Sequence, residues 1–225
     1  LRGISETFAV NFVIIHALDC TAGALAELGH PEGYLRRQVT GWIERYARAK
    51  TDEIPDVERV QAWLVEQLPE QRYAALIHND YKYDNLMFDQ QDLTRLRAVL
   101  DWEMATLGDP LSDVGTTLAY WVDADDPPDR LAIGLHDNFT ALPGNFTRAE
   151  LVERYARASG RDVSDIVYYF VFGLFKNAVI GQQIHARYVR GLLPDPRFGR
   201  FLPSIQAAVA TAARAIEVNR IDQLG

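Results

Sequence analysis

Apolar residues recur three and four positions apart along most of this chain, with one interval near the middle where that spacing fails. Phe8, Phe12, Ile15 and Leu18 share one helical face and predict a helix over residues 5–28, with Ser5 as its cap. Glycines at 29 and 33 break it. Leu35, Val39, Trp42, Ile43 and Tyr46 make residues 34–48 a second helix, and residues 57–67, set between Pro55 and Pro69, read as a third. Helical spacing returns over 111–121, 131–139, 148–159, 164–188 and 198–221. Thr147 with Glu150 spells a capping box at the start of one of these segments.

The interval between reads differently. Three short apolar runs, 74–77, 86–88 and 96–100, are separated by polar, turn-forming stretches such as 89–92. They predict a small β-hairpin pairing 86–88 with 98–100, beside a loop rich in His, Asn and Asp. The fold class is therefore α+β and predominantly α-helical.

Composition narrows the function. Of 225 residues, 48% are hydrophobic and 24% charged, which fits a globular chain and excludes a disordered one. A net charge of −8 argues against nucleic acid and anionic membrane as partners. Between His78 and Asp129 there are twelve acids and three bases, so the excess is concentrated around the irregular interval. The acids of 123–129 are expected in a solvated loop. Cys20, the one cysteine, excludes an intrachain disulfide and reads as a small core residue. The longest apolar run, 166–175, is too short to span a bilayer. Nothing in residues 1–20 resembles a signal peptide, so a cytoplasmic setting is expected.

His78-Asn79-Asp80-Tyr81-Lys82-Tyr83-Asp84-Asn85 carries the spacing H-x-D-x4-N, and Asp101 follows the third apolar run. Phosphoryl transfer needs hard oxygen ligands for Mg2+ and a carboxylate that orients the acceptor hydroxyl and takes its proton. A protein-kinase catalytic loop supplies these as an Asp, an Asn five residues later and a second Asp ending a hairpin. Asp80, Asn85 and Asp101 match those roles as base, metal ligand and main metal ligand.

On these residues the chain resembles the aminoglycoside phosphotransferase family, of kinase-like fold, and within it the acyl-CoA dehydrogenase-associated subgroup. The loop at 78–85 stands where that family writes H-G-D-x-x-x-x-N. Val99-Leu100-Asp101-Trp102-Glu103 matches V-L-D-W-E, and Leu107-Gly108-Asp109-Pro110-Leu111-Ser112-Asp113 matches L-G-D-P-L-x-D. Gly33-Tyr34-Leu35, Arg37-Gln38-Val39 and Trp42 are similar to the subgroup too.

The resemblance implies a protein-kinase-like carboxy-terminal lobe over 1–225, with ATP and Mg2+ as cofactors. Asp80 would be the base, and Asn85 and Asp101 would bind Mg2+. His78 would hold the loop, Asp113 would accept loop amides, and Asp109 would cap the next helix. Lys82 is placed either to contact phosphate or simply to be solvated. Asn79 stands where the family has Gly, and Asn is the best non-Gly choice if that position needs a positive φ. Glu103 is expected in a salt bridge. His16, His30, His136 and His185 are expected to be structural, with His185 the candidate among them for the acceptor pocket. Tyr169 and Asn177 are candidates to face it from an otherwise core helix.

No Gly-rich phosphate loop occurs, so the amino-terminal nucleotide lobe is expected to be missing, this stretch alone to be inactive, and its uncovered apolar face to favour a homodimer. The function expected is transfer of phosphate from ATP to a small-molecule hydroxyl, such as that of a hydroxyacyl-CoA. The alternatives are a non-catalytic kinase-like binding module, and a metal-dependent hydrolase, which would want more histidines near the acids.

Overall fold

Three helices lead into the irregular interval: α1 (Arg2–His16), α2 (Tyr34–Ala49) and α3 (Val57–Glu66). The structure, a computed structural model, describes residues 1–132 and 138–225. Two short antiparallel ladders follow. Strand β1 (Ala75–Ile77) pairs with β4 (Thr106–Gly108), and β2 (Leu86–Phe88) pairs with β3 (Leu96–Val99), with Leu86 opposite Val99. The second ladder is the expected hairpin, but its second strand runs over Leu96–Val99 rather than 98–100, with an irregularity between Met87 and Phe88 that pairs Phe88 with Leu96. The first joins segments thirty residues apart in sequence, and a three-residue strand has too little periodicity to announce such a partner. Helices α4 (Pro110–Tyr120), α5 (Pro128–Ala132), α6 (Arg148–Ser159), α7 (Ile166–Val189) and α8 (Phe201–Val218) complete the described chain.

Helix α7 is the axle. Its residues 168–172 and Leu174, Phe175, Ala178 and Val179 are buried against α2, α4 and α8. Two glycines set its crossing with α4: a Cβ on Gly115 would lie 2.1 Å from the Tyr169 carbonyl oxygen, and one on Gly173 would lie 2.2 Å from that of Gly115. Real Cβ atoms cannot approach backbone so closely, so only glycine at both positions lets the two helices touch. That contact carries residues of α7 to the underside of the loop at 78–85.

Several expectations are corrected. Helix α1 ends at His16 rather than continuing to 28, because the Asp19 carboxylate takes the Thr21 amide and hydroxyl (2.9 and 2.7 Å) and closes a turn. Cys20 sits half-buried in that turn instead of in the core. Ser5 is no cap. It lies inside α1, donates to Asn145 Oδ1 (3.1 Å) and accepts from the Phe146 amide (3.1 Å). The capping box Thr147–Glu150 is present as expected. Of the segment 131–139, residues 133–137, His136 among them, lie outside the described residues.

The 123–129 stretch is the largest correction. Asp123 and Asp126 are buried, not solvated. Arg148, with 0% exposure, donates to Asp126 through both terminal nitrogens, to the Trp121 carbonyl (2.9 Å) and to that of Ile221 (2.6 Å). Arg130 adds Nε to Asp126 Oδ2 (3.2 Å) and Nη2 to the Ala119 carbonyl (2.8 Å). Burial pushes the Asp123 carboxyl up to about 6, against the charge of Arg148. For Asp126 burial also pushes upward, but the Arg148 hydrogen bonds and charge outweigh it and hold its carboxyl below the usual range. A run of acids reads as surface until arginines distant in sequence are known to reach it. Among the described residues no helix is long and apolar enough to cross a membrane.

Candidate active site

The loop between β1 and β2 is held from below by one carboxylate. Asp113, in the first turn of α4 and wholly buried, accepts the amides of His78 (2.6 Å) and Asn79 (2.8 Å). It also accepts His16 Nε2–H (3.2 Å), while His16 Nδ1 accepts the Tyr155 hydroxyl (2.8 Å). Burial lowers the His16 pKa against the pull of Asp113, so the ring is neutral and this donor arrangement holds. Asp109 caps α4 by accepting the Leu111 amide (2.9 Å), and the Tyr169 hydroxyl donates to its other oxygen (2.7 Å). Both expected bracing roles, for Asp113 and Asp109, are thus present in the geometry.

Asn79 adopts φ 65°, the left-handed conformation for which Asn is well suited. Its side chain is used as well, donating to the Met104 carbonyl (3.0 Å) and accepting the Tyr34 hydroxyl (3.2 Å). A glycine could make neither bond. His78 Nδ1 accepts the Asp80 amide (3.3 Å), which leaves Nε2–H to donate to the Leu100 carbonyl (2.8 Å). The ring lies 4.8 Å from that of Trp102. His78 therefore links the loop to the residue before Asp101 and touches no open space of its own.

Asp80 is the hub. Asn85 Nδ2 donates to its carboxylate and to its carbonyl (2.8 Å each), and Lys82 Nζ donates to the carboxylate (3.0 Å). Lys82 also stands 4.7 Å over the Tyr120 ring. Burial, then the nearby Asp80 charge, pushes the Tyr120 phenol up. Asp101 is exposed with φ 65° at the end of β3, and the neighbouring Leu100 amide donates to the Asn85 carbonyl (2.8 Å). The hairpin thereby sets the Asn85 backbone against the residue that precedes Asp101.

The chemistry of Asn85 and Asp101 fits Mg2+. Asn85 commits its amide hydrogens to Asp80, which leaves Oδ1 to ligate a metal, and Asp101 adds a carboxylate. Two hard oxygens match an ion that takes its remaining ligands from phosphates and water. Among the described residues no three His, Cys, Asp or Glu side chains group to hold a metal by themselves. Glu103 is exposed, without the expected ion pair among the described residues.

Beside the hub opens a cavity of about 680 Å³. Lys82, Tyr83 and Tyr120 form the end near Asp80, while Leu174, Ile180 and Ile184 of α7 and Ile205 and Ala208 of α8 make it predominantly apolar. Asn177 lines it as anticipated, and its Oδ1 has no partner among the described residues. Tyr169 faces the core instead, because its hydroxyl is bound to Asp109. His185 is not at the cavity: it is buried and reaches Asp52 (3.3 Å).

Lys176 is the residue that sequence reasoning passed over. It is buried, and its Nζ donates to the Asn79 carbonyl (3.1 Å) and, more weakly, to Asn79 Oδ1 (3.4 Å). Burial pulls its pKa down to about 8, opposed by the charges of Asp113 and Asp80. A lysine in the middle of an aromatic helix was the available signal. Because the folded pKa lies below that of the unfolded chain, unfolding takes up a proton between pH 8 and 10.5, and this group makes the fold more stable as pH rises through that window. The difference in stability between wild type and Lys176→Met, followed by calorimetry from pH 7 to 10, is expected to grow in favour of wild type. A flat difference would contradict a buried, depressed lysine.

Residues 2–162 match the phosphotransferase enzyme family. The chain belongs to that family. It is 36% identical over 187 residues to acyl-CoA dehydrogenase family member 10 of Mus musculus, a match covering 81% of this chain and 17% of that protein. It is 33% identical over 185 residues to acyl-CoA dehydrogenase family member 11 of Gallus gallus, covering 79% and 23%. The chain thus spans about a fifth of the length of these curated relatives. Among solved structures, a Ralstonia eutropha JMP134 protein classed with the aminoglycoside phosphotransferases superposes with a TM-score of 0.81 at 27% identity, over 94% of this chain and 65% of that one. A macrolide 2'-phosphotransferase of type I shares the fold, with a TM-score of 0.58 at 18% identity over 92% and 58%. Membership in the phosphotransferase family and the kinase-like fold agree with the motif at 78–85 and with its bracing by Asp113.

Proposed function

We propose that this chain is the large lobe of an ATP- and Mg2+-dependent phosphotransferase that phosphorylates a hydroxyl on a small molecule with a substantial apolar part. The observation that carries the reading is the placement of Asp80: its neighbours Lys82 and Tyr120 line an apolar cavity, while Asn85 ties it to the hairpin that ends at Asp101. In this reading Asp80 orients the acceptor hydroxyl and takes its proton as the oxygen bonds the γ-phosphorus and the bond to the departing ADP oxygen breaks. Lys82 balances charge on the transferred group. Asn85 and Asp101 hold Mg2+, which would offset the phosphate charge. His78, Asp113 and Lys176 keep the loop in place.

The cavity favours one acceptor class over another. A polycationic aminoglycoside calls for several carboxylates, but Asp84 is the one acid among the described residues that line the cavity. Isoleucine, leucine and alanine walls suit a hydroxylated acyl chain, and the relatives named as acyl-CoA dehydrogenase family members point the same way. A hydroxyacyl-CoA is the acceptor that this reading favours, in the cytoplasmic setting predicted above.

A phosphate-transfer screen of hydroxyacyl-CoAs, sugars and amino alcohols with the full-length protein tests it, with turnover expected only for acceptors bearing an apolar arm. Asp101→Ala is expected to weaken Mg-ATP binding by roughly 10–100-fold or more, the scale on which even outer partners of metal ligands act. Unchanged affinity by calorimetry would remove Asp101 from the metal site, and unchanged absence of nucleotide binding in both proteins would favour the binding module.

A further inference from the structure

Away from the catalytic loop, the C-terminal ends of α2 and α7 enclose a second concavity of about 350 Å³. Four arginines line it, Arg45 and Arg48 from α2 and Arg187 and Arg190 from the end of α7, over a floor of small residues, Ala49 and Ala186. Arg59, Arg72, Arg130 and Arg148 all hold carboxylates elsewhere in the chain. The four in the groove have no carboxylate partner among the described residues, although the chain carries a net charge of −8.

The helix macrodipole explains only half of this cluster. A cation in the last turn of a helix is favoured, which accounts for Arg48 and Arg187. Arg45 lies a turn further back and Arg190 lies beyond the helix end. Each helix also sets two like charges three residues apart, a spacing that repels unless an anion intervenes. Two of the side chains are already positioned. Arg190 Nη2 donates to the Arg48 carbonyl across the seam (3.2 Å), and the Arg45 guanidinium stacks 4.7 Å from the Trp42 ring centroid.

We propose that this groove binds a polyphosphate anion, a small molecule carrying a diphosphate or neighbouring phosphate groups. Guanidinium forks take phosphate oxygens in pairs, and four of them facing one hollow match two phosphates better than one. The site is separate from the acceptor cavity. Helix α7 presents Asn177, Ile180 and Ile184 to that cavity, and Ala186, Arg187 and Arg190 to the groove. The proposal does not depend on the phosphotransferase reading. The same chemistry could come from a free polyphosphate or from a phosphorylated handle on the acceptor.

The test is calorimetric titration of the full chain with inorganic pyrophosphate in the absence of divalent metal. One-to-one binding that weakens with added salt is expected, at least ten-fold weaker in Arg48→Gln/Arg187→Gln and unchanged in Asp101→Ala. Both arginines are exposed, so the variant should fold, and its thermal midpoint checks this. No binding by wild type, or binding indifferent to the double substitution, overturns the proposal. Pyrophosphate that then competes with the phosphate acceptor marks a handle on that substrate, and pyrophosphate that binds without competing marks a free effector. Either result upholds the site.

Discussion

Asp80→Asn is expected to lower turnover about a thousand-fold, the middle of the range for losing a positioned general base, while leaving nucleotide affinity nearly intact. The separation follows from geometry. Asp80 meets the acceptor end of the site through Lys82 and Tyr120, whereas Asn85 and Asp101 form the other side of the hairpin. An amide in place of the carboxylate keeps one accepting oxygen for the Asn85 hydrogen bond and turns its NH2 toward the Lys82 ammonium, so the tie to Asn85 should survive while Lys82 swings away. The amide has no basicity with which to take the hydroxyl proton. Turnover on any acceptor found in the screen, compared with nucleotide affinity by calorimetry, reads both halves. Activity within a few-fold of wild type would dismiss Asp80 as the base. A parallel loss of nucleotide binding would mean that Asp80 shapes the metal site instead.

The second large effect is on stability. Arg148→Met would leave Asp126 buried with one paired cation, Arg130, and would remove the ion-pair partner of Asp123. Breaking a buried ion pair from one side costs about 3–5 kcal/mol, and at this chain length that lowers the thermal midpoint by roughly 10 °C. The deficit should depend on pH. A buried carboxyl without its cation has a folded pKa above the unfolded value, so the folded state holds an extra proton between the two. Stability then rises as pH falls through that window. Asp123, already raised to about 6 in the native protein, shows the tendency. The gap between Arg148→Met and wild type should therefore be smaller at pH 5 than at pH 8. A substitution that costs less than 1 kcal/mol at both values would mean that the buried network contributes nothing to stability.

Legibility in the sequence varied by element, for physical reasons. The helices over 34–48, 57–67 and 148–159 were readable because each has a wide apolar stripe, or caps and prolines at its ends. The motif at 78–85 was readable because its chemistry demands side chains at set intervals, and interval is what a sequence records. A positive φ at Asn79 was suggested only by the Gly that the family has at that position. Asp113 and Asp109 could be given bracing roles only through family resemblance, because nothing in their local pattern distinguishes a buried carboxylate from an exposed one.

Other features depended on contacts between distant segments. Strand β4 is three residues long and takes its identity from β1. Ser5 looks like a cap, yet it is drawn into the interior by Asn145 and Phe146. Lys176 reads as an interruption in an apolar helix until the contact of Gly115 with Gly173 brings α7 against the loop and sets its ammonium on the Asn79 carbonyl. Asp125 and Asp129 are exposed as expected, but Asp123 and Asp126 read as solvated too because their arginine, at 148, lies some twenty residues further on.

Composition, spacing and caps thus gave the fold class, most of the helical framework and the three residues proposed above for phosphoryl transfer. They did so because each depends on local periodicity or on a short motif. The close crossing of α4 and α7, the apolar character of the cavity and the burial of Asp123 and Asp126 were decided only by tertiary packing. Those features depend on which backbone surfaces meet, and that information is spread over residues far apart along the chain.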